Sequence, residues 1–219
     1  MGLVTRRVQL ALDASAGPAS VALFIDGALV QAHRIDRQGS AELLAPTVAA
    51  ALNGARCTAR EITDVIVGAG PGSFTGLRVA AALAKGLARG AGASFYSVPS
   101  LPLIAAADTA RPSGRYISVL DALRGEWFAQ GATRNTNGAW TLDGPVERLL
   151  IETVRERALS LGAHIVGPPI AVEQQPDARA ALMIGITEVE RDAWEPDYGR
   201  LAEAQVKWEA ANNRALPAS

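Results

Sequence analysis

One pattern occurs twice in the chain and constrains the fold more than any other feature: an apolar strand that ends in aspartate. The runs Val8–Asp13 and Ile117–Asp121 both end in Leu-Asp and are followed by alanine, and further strand-like segments come after each of them. A repeated order of strands predicts two related lobes, formed by residues 1–110 and by residues 111–219 with a polar tail. Because strands alternate with helical segments, the chain belongs to the α/β class.

The first lobe is expected to begin with three strands, of which the last two form a hairpin. Ser20–Ile25 and Ala28–Ile35 are rich in apolar residues, and Asp26-Gly27 lies between them. Both turn positions tolerate positive φ, which favours a two-residue hairpin turn. Pro46 predicts a kink or a late start in the helix that follows, over residues 41–52.

The remaining elements are predicted from capping residues and apolar periodicity. Ser100 is a suitable N-cap for a helix that continues to about residue 107. In the second lobe we expect a helix at Ile151–Leu161, a strand at His164–Val166 and a helix over residues 177–185. The polar, alanine-rich tail over residues 202–213 is expected to be partly disordered.

Composition restricts the partners and the compartment. The net charge is −1 and the isoelectric point is about 6.1, so no general attraction to nucleic acid or anionic membranes follows. Cys57 is the single cysteine, which excludes an intrachain disulfide and indicates a reducing compartment. The most apolar helical stretch, Val79–Ala93, is interrupted by Lys85 and Arg89 and is too short to span a bilayer. A cytoplasmic protein is the expectation.

The glycine-rich segment Gly70–Gly76 is the most distinctive motif. It follows a strand and precedes a helix, an arrangement in which backbone amides and the helix dipole can bind an anion. It is not a Walker loop, because no lysine follows the last glycine. A tight turn before a well-capped helix is the alternative interpretation. The residues of a phosphate or nucleotide site here would be Asp13, Gly70, Gly72, Ser73, Thr75, Gly76 and Asp121.

Histidine and cysteine are too scarce for two common kinds of catalytic site. His33 and His164 are the only histidines, and they form no His-x-x-x-His pair. With one cysteine in addition, a zinc site is not expected. No Gly-x-Ser-x-Gly segment is present, so a serine nucleophile of that type is not expected either.

The helix predicted over Leu77–Arg89 consists largely of alanine and glycine. Small side chains allow another helix to approach closely, either within the fold or across a subunit contact. Both interpretations remain open from the sequence.

These segments together resemble the bacterial TsaB (YeaZ) family, a component of tRNA threonylcarbamoyladenosine synthesis. The most specific likeness is Gly-Pro-Gly-Ser-Phe-Thr-Gly-Leu-Arg at residues 70–78. Leu12–Ser15, Val98–Leu101 and Asp121–Trp127 extend it. The likeness covers roughly residues 8–130 and is faint beyond them, apart from Glu195–Tyr198.

The resemblance implies a two-lobed fold of the actin, hexokinase and Hsp70 type, which is related to ribonuclease H. It implies a non-catalytic scaffold subunit that binds the catalytic subunit TsaD and holds neither a metal nor a cofactor of its own. TsaD transfers threonylcarbamoyl to adenosine 37 of tRNAs that read codons beginning with A. The ATPase TsaE joins that complex, and TsaC makes the threonylcarbamoyl-adenylate. The resemblance implies that this chain contacts tRNA only through the complex.

The resemblance also places the contact with TsaD on helices of the first lobe. The corresponding residues are Leu43, Leu44, Thr47, Val48, Ala51, Leu77, Ala80, Ala81 and Ala84. Two departures affect what can be carried over. Gly39-Ser40 stands where the family has a histidine, and Leu123 precedes Arg124 where the family commonly has Asp-Ala-Arg. An altered site in the second lobe is therefore expected.

Two other interpretations are compatible with parts of the sequence. One is a small-molecule kinase or ATPase of the same superfold that uses Asp13, Asp121 and the glycine-rich segment. The other is a homodimer that forms through the small-residue helix when TsaD is absent, since an apolar partner-binding face often self-associates.

Overall fold

The structure is a computed structural model that describes residues 6–36, 40–168, 170 and 174–199. Two β-sheets form the centres of two lobes, as the repeated strand pattern predicts. The first sheet contains β1 (Val8–Asp13), β2 (Ala19–Ile25), β3 (Ala28–Ile35), β4 (Asp64–Gly68), β5 (Ser94–Val98) and β10 (Thr187–Glu188). The second contains β6 (Gly114–Leu123), β7 (Glu126–Arg134), β8 (Trp140–Leu150) and β9 (His164–Val166).

Both sheets are built on the same plan. In each, three consecutive strands pair antiparallel, and the first strand of the three also pairs in parallel with a later strand. The orders are β10-β5-β4-β1-β2-β3 and β8-β7-β6-β9. The two-lobed α/β fold expected from the sequence is therefore confirmed.

The end of the described chain returns to the first lobe. β10 pairs antiparallel with β5, and the 3-10 helix Ala178–Met183 packs against the first sheet. Residues 1–110 consequently do not make up the whole of that lobe, which differs from the predicted division at residue 110. A strand as short as β10 carries too few residues for a recognisable alternation.

The helices fix how the sheets are covered. They are α1 (Leu44–Gly54), α2 (Phe74–Ala91), α3 (Ser100–Ala106) and α4 (Ile151–Leu161). α1 and α2 share one apolar core with the first sheet. α3 contributes apolar residues to cores on both sheets and so joins the lobes, and α4 covers the second sheet. No helix in the described ranges is long and apolar enough to cross a membrane.

Several local predictions are confirmed. β1, α4 and β9 have the predicted bounds, and Asp26 and Gly27 both have positive φ in the β2–β3 turn. The helix around Pro46 starts late, because a 3-10 turn over Ser40–Leu43 precedes α1. Pro46 thus lies in the first helical turn, where its missing amide has no helical partner to lose. The predicted helix over residues 177–185 is a 3-10 helix, and residues 202–213 lie outside the described part.

Burial changes the interpretation of the residues expected to contact a partner. Seven of the nine are buried in the chain's own core: Leu44, Val48, Ala51, Leu77, Ala80, Ala81 and Ala84. Leu43 and Thr47 are half-buried. The buried small side chains of α2 therefore serve close packing of this helix on the sheet, and the buried seven offer no surface to another protein.

Candidate functional site

Asp13 lies at the carboxyl end of β1 and is completely enclosed. Only 1% of the surface of Asp13 is exposed to solvent. Oδ1 accepts hydrogen bonds from the Ser15 backbone amide at 2.9 Å and from Ser15 Oγ at 2.7 Å. Oδ2 accepts a hydrogen bond from Ser100 Oγ at 2.6 Å. Both carboxylate oxygens are thus occupied by groups of the chain itself.

Ser100 has a different role from the one predicted. It is the first residue of α3, and its side chain does not cap the helix. Ser100 Oγ instead donates to Asp13 and accepts a hydrogen bond from the Gly70 amide at 3.0 Å. It therefore connects the end of β1 to the glycine-rich segment, a long-range contact that local sequence cannot reveal.

The enclosure of Asp13 shifts its protonation equilibrium. Burial raises the pKa of the Asp13 carboxyl above its ordinary value, and the nearby charge of Asp177 acts in the same direction. The hydrogen bonds from Ser100 and Ser15 act in the opposite direction but do not outweigh burial. Removing water from a carboxylate disfavours its charged form, so this carboxyl holds its proton to a higher pH than an exposed aspartate.

The glycines bring the segment after β4 into contact with the end of β1. A Cβ at Gly68 would overlap with Asp13 Oδ2, and one at Gly72 would overlap with the Ser15 carbonyl oxygen. A Cβ at Gly76 would overlap with the Ala14 carbonyl oxygen. The contact is closed by the Ser73 amide, which donates to the Ser15 carbonyl oxygen at 2.6 Å.

The same segment also starts α2. Ser73 is the N-cap, and its Oγ accepts a hydrogen bond from the Gly76 amide at 3.3 Å. The helix begins at Phe74, three residues before the predicted start at Leu77. Ser73 and Thr75 are exposed, whereas Gly70 and Gly76 are buried. These contacts favour the second of the two interpretations, a tight turn before a capped helix.

A C-terminal strap, defined here as residues 189–199, lies across the glycine-rich segment. The Asp197 amide donates to the Ala69 carbonyl oxygen at 2.8 Å. Gly70 has φ +93°, and a Cβ there would overlap with the Asp197 carbonyl oxygen. The Tyr198 ring packs on the Phe74 ring, with centroids 4.7 Å apart. The likeness at Glu195–Tyr198, isolated from the rest of the resemblance, is the sequence signal for this contact.

A cleft of about 360 Å³ separates the lobes at this point. Gly72 and Ser73 line it on one side, and Asp121, Leu123 and Phe128 line it on the other. Asp13 does not line this cleft, so the structure does not bring together the two aspartates that the pattern pairs. Asp121 is exposed, and its Oδ1 accepts a hydrogen bond from the Leu123 amide at 2.7 Å.

No group of three or more His, Cys, Asp or Glu residues that could hold a metal ion occurs among the described residues. His33 and His164 lie on β3 and β9, in different sheets, and Cys57 is buried as a free thiol.

The sequence comparisons match proteins of tRNA threonylcarbamoyladenosine synthesis. The profile described as "TsaD: tRNA N6-adenosine threonylcarbamoyltransferase" matches residues 34–187. The chain is 30% identical over 170 residues to the "tRNA threonylcarbamoyladenosine biosynthesis protein TsaB" of Escherichia coli K12. The aligned residues cover 77% of this chain and 73% of that protein. The protein of the same name from Bacillus subtilis is 27% identical over 191 residues, 74% of this chain and 80% of that protein.

A solved structure shows the same fold. "YeaZ from Pseudomonas aeruginosa" superposes with a TM-score of 0.76 at 24% identity, over 88% of this chain and 99% of that one.

Proposed function

The chain belongs to the TsaB (YeaZ) family, and from this premise we propose that it is a non-catalytic subunit that binds TsaD. In that complex it supports formation of N6-threonylcarbamoyladenosine at position 37 of tRNAs that read codons beginning with A. The relatives named for threonylcarbamoyladenosine biosynthesis support the pathway. The scaffold role rests on the geometry described below, and the proposed cytoplasmic location rests on the single cysteine, which suits a reducing compartment.

The observation that carries the non-catalytic role is the enclosure of Asp13. A carboxylate that positions a metal-bound water or a phosphate must face the ligand. Here both oxygens are hydrogen-bonded to Ser15 and Ser100, and Gly68 lies directly against one of them. This arrangement argues against a kinase or ATPase that uses Asp13 and Asp121 together.

The surface proposed for TsaD is the exposed side of α1 and α2. Ala45, Ala49 and Ala50 are exposed on α1, and Val79 and Ala82 are exposed on α2. Both helices pack on the same core, so their outer sides lie on one face of the lobe. Small side chains there allow a partner helix to approach closely.

The C-terminal strap borders this surface along one side of α2. Lys85 Nζ lies 3.2 Å from Glu195 Oε1, and Arg89 Nη2 lies 3.1 Å from Asp192 Oδ2. Lys85 and Arg89 are therefore committed to the strap, and Val79 and Ala82, which are exposed in the preceding part of α2, are left for TsaD.

The further partners follow from the same proposal. TsaE joins the complex of this chain with TsaD, and tRNA is bound through that complex, in keeping with a net charge of −1. Without TsaD, the outer side of α1 and α2 supports a homodimer. Any nucleotide is held weakly, or only in the complex.

The decisive experiment is co-purification with TsaD of the same organism, followed by tRNA modification with and without this chain. Ala82→Glu places a charge on the proposed surface, and Ala139→Glu makes the same change at an exposed position of the β7–β8 turn. We expect the Ala82 variant to lose TsaD binding and tRNA modification, while the Ala139 variant retains both. Thermal unfolding checks that both variants are folded.

Two results would count against the proposal. Retained TsaD binding by both Ala82→Glu and Val79→Glu would remove the surface assignment. Modification that does not depend on this chain, together with magnesium-dependent ATP turnover by the isolated chain, would replace the scaffold role with the enzyme.

A further inference from the structure

The second lobe contains a recess, open at one end, that lies away from the inter-lobe cleft and from the outer side of α1 and α2. It has a volume of about 160 Å³ and lies between α4 and the face of the second sheet. Ile117, Ala129 and Gly131 form its floor, and Val154 and Leu161 of α4 form its roof. A volume of this order holds one small organic molecule, since engineered cavities of about 150 Å³ bind benzene.

A bulge in β8 produces the recess. Ala129 pairs with Glu147 and Gly131 pairs with Asp143, so β8 uses three residues, 144–146, where β7 uses only Gln130. Gly144 has φ +93°, and its carbonyl oxygen accepts a hydrogen bond from Gln130 Nε2 at 3.2 Å. Asp143 of β8 lies close against Gly131, where an added Cβ would come within 3.1 Å of the Asp143 Cβ, so a side chain at this position would crowd β8. Bulges often mark functional positions in a sheet.

Charged groups of both signs stand around this apolar floor. Arg115 of β6 pairs with Thr133 of β7. This pair lies two residues along the strands from the Ile117–Gly131 pair and therefore on the same face of the sheet. Thr133 Oγ1 donates to Asp143 Oδ2 at 2.6 Å, which holds that carboxylate at the edge of the recess. Arg115 is exposed, and within the described ranges its side chain takes part in no hydrogen bond or ion pair.

The other end of the recess is closed by an ion pair. Glu147 of β8 is bonded to Arg157 of α4, and both side chains line the recess. These two charges neutralise each other. Arg115, whose guanidinium has no partner within the described ranges, and the carboxylate of Asp143 both lie at the open end.

We propose that this recess binds a free α-amino acid with a short aliphatic side chain. The ligand carboxylate meets the Arg115 guanidinium, which presents paired donors suited to a carboxylate. The ligand ammonium meets Asp143, and the side chain enters the apolar recess above Gly131. A nucleotide exceeds the volume, and a purely apolar molecule leaves both charges unused. This site is independent of the proposed TsaD contact.

The test uses the full chain and three probes of similar shape: L-valine, isovalerate without the amine, and isobutylamine without the carboxylate. Chemical shifts of backbone amides, followed by two-dimensional NMR, report both affinity and location. We expect saturable shifts with valine around Gly131 and α4, and binding at least about tenfold weaker for each analogue, because each lacks one charge.

Variants of the two supports of the site complete the test. Arg115→Gln is expected to weaken valine binding about tenfold, and Arg155→Gln, on the exposed side of α4, is expected to leave it unchanged. Gly131→Ala is expected to weaken valine binding, because its Cβ would lie 3.1 Å from Asp143 Cβ and displace that residue. If that variant does not fold, Arg115→Gln alone decides. The proposal is wrong if valine gives no saturable shift up to about 10 mM, or if Arg115→Gln binds as the unmodified chain does.

Discussion

The two aspartates that follow the repeated strand pattern have opposite environments. Asp13 is buried, with three hydrogen bonds from Ser15 and Ser100. Asp121 is exposed in the inter-lobe cleft, with one hydrogen bond from the Leu123 amide. The same Leu-Asp-Ala tripeptide thus yields a closed structural site in one lobe and an open one in the other.

The difference arises from what the neighbouring elements supply. β1 ends at Asp13, and β4 and α3 place Gly68 and Ser100 against its carboxylate. β6 continues past Asp121 to Leu123, and a register shift between these two residues leads into a tight turn to β7. A carboxylate therefore becomes structural through residues distant in sequence, which a local motif does not contain.

The strongest way to break the contrast is to crowd the buried carboxylate. Gly68→Ala places a Cβ on Asp13 Oδ2, so the carboxylate must move and release its hydrogen bonds. We expect a loss of about 4 kcal/mol in the free energy of unfolding, measured by urea denaturation. Gly125→Ala is the control: its Cβ meets no atom within 4 Å, and its φ of +81° costs only about 1 kcal/mol. Equal losses would contradict the crowding argument.

Removal of each carboxylate gives the next largest effect. Asp13→Ala leaves the Ser15 amide and the two serine hydroxyls without their acceptor, although it also relieves a buried charge. We expect a loss of about 2 kcal/mol. Asp121→Ala loses a single hydrogen bond at an exposed position, and about 0.5 kcal/mol is expected. The comparison fails if Asp121→Ala costs as much as Asp13→Ala.

The pH dependence of stability sharpens the contrast further. Burial raises the pKa of the Asp13 carboxyl in the folded chain, whereas the unfolded chain loses this proton at about pH 4. Between about pH 4 and the raised pKa, the folded state therefore binds more protons than the unfolded state. Its contribution to stability is complete below about pH 4 and is lost as pH rises, with a slope of up to about 1.4 kcal/mol per pH unit. Asp13→Asn removes this slope. Parallel curves for the two proteins from pH 4 upward would contradict the prediction.

The smallest effect concerns the turn after Asp121. Leu123 has φ +65° and is 45% exposed, a conformation that glycine adopts without strain. Leu123→Gly is expected to stabilise the chain by about 0.5 kcal/mol, which raises Tm by about 1–2 °C in calorimetry. Leu150→Gly serves as the control, since Leu150 is also exposed but has φ −69°, and it should lower Tm. A lower Tm for both variants would show that Leu123 is not strained.

Local structure was predicted well because its causes are local. A short apolar run predicts β1, Asp-Gly predicts the turn at Asp26-Gly27, and apolar periodicity predicts α4. The late start of α1 is one of the two outcomes predicted from Pro46. These predictions depend only on neighbouring residues, and the structure confirms them.

The candidate site was predicted less well because its causes are distant. Ser100 was expected to cap a helix, whereas it bonds to Asp13. The apolar and small residues of α1 and α2 were expected on a partner surface, whereas most of them face the sheet. Periodicity indicates which residues share a helix face, but it does not tell whether the chain or another protein covers that face. The departure at Leu123 was noted correctly, but its positive φ was not foreseen.

The pairing of β10 with β5 has a consequence for synthesis on the ribosome. β5 ends at Val98, and its partner strand begins only at Thr187, so roughly ninety residues are translated before that edge of the sheet is covered. At about 5–20 residues per second this takes on the order of 5–20 seconds. During that interval the nascent first lobe presents an unpaired strand edge, the feature most prone to pairing with another chain. Chaperone binding to stalled nascent chains should therefore be greatest before residue 188 emerges.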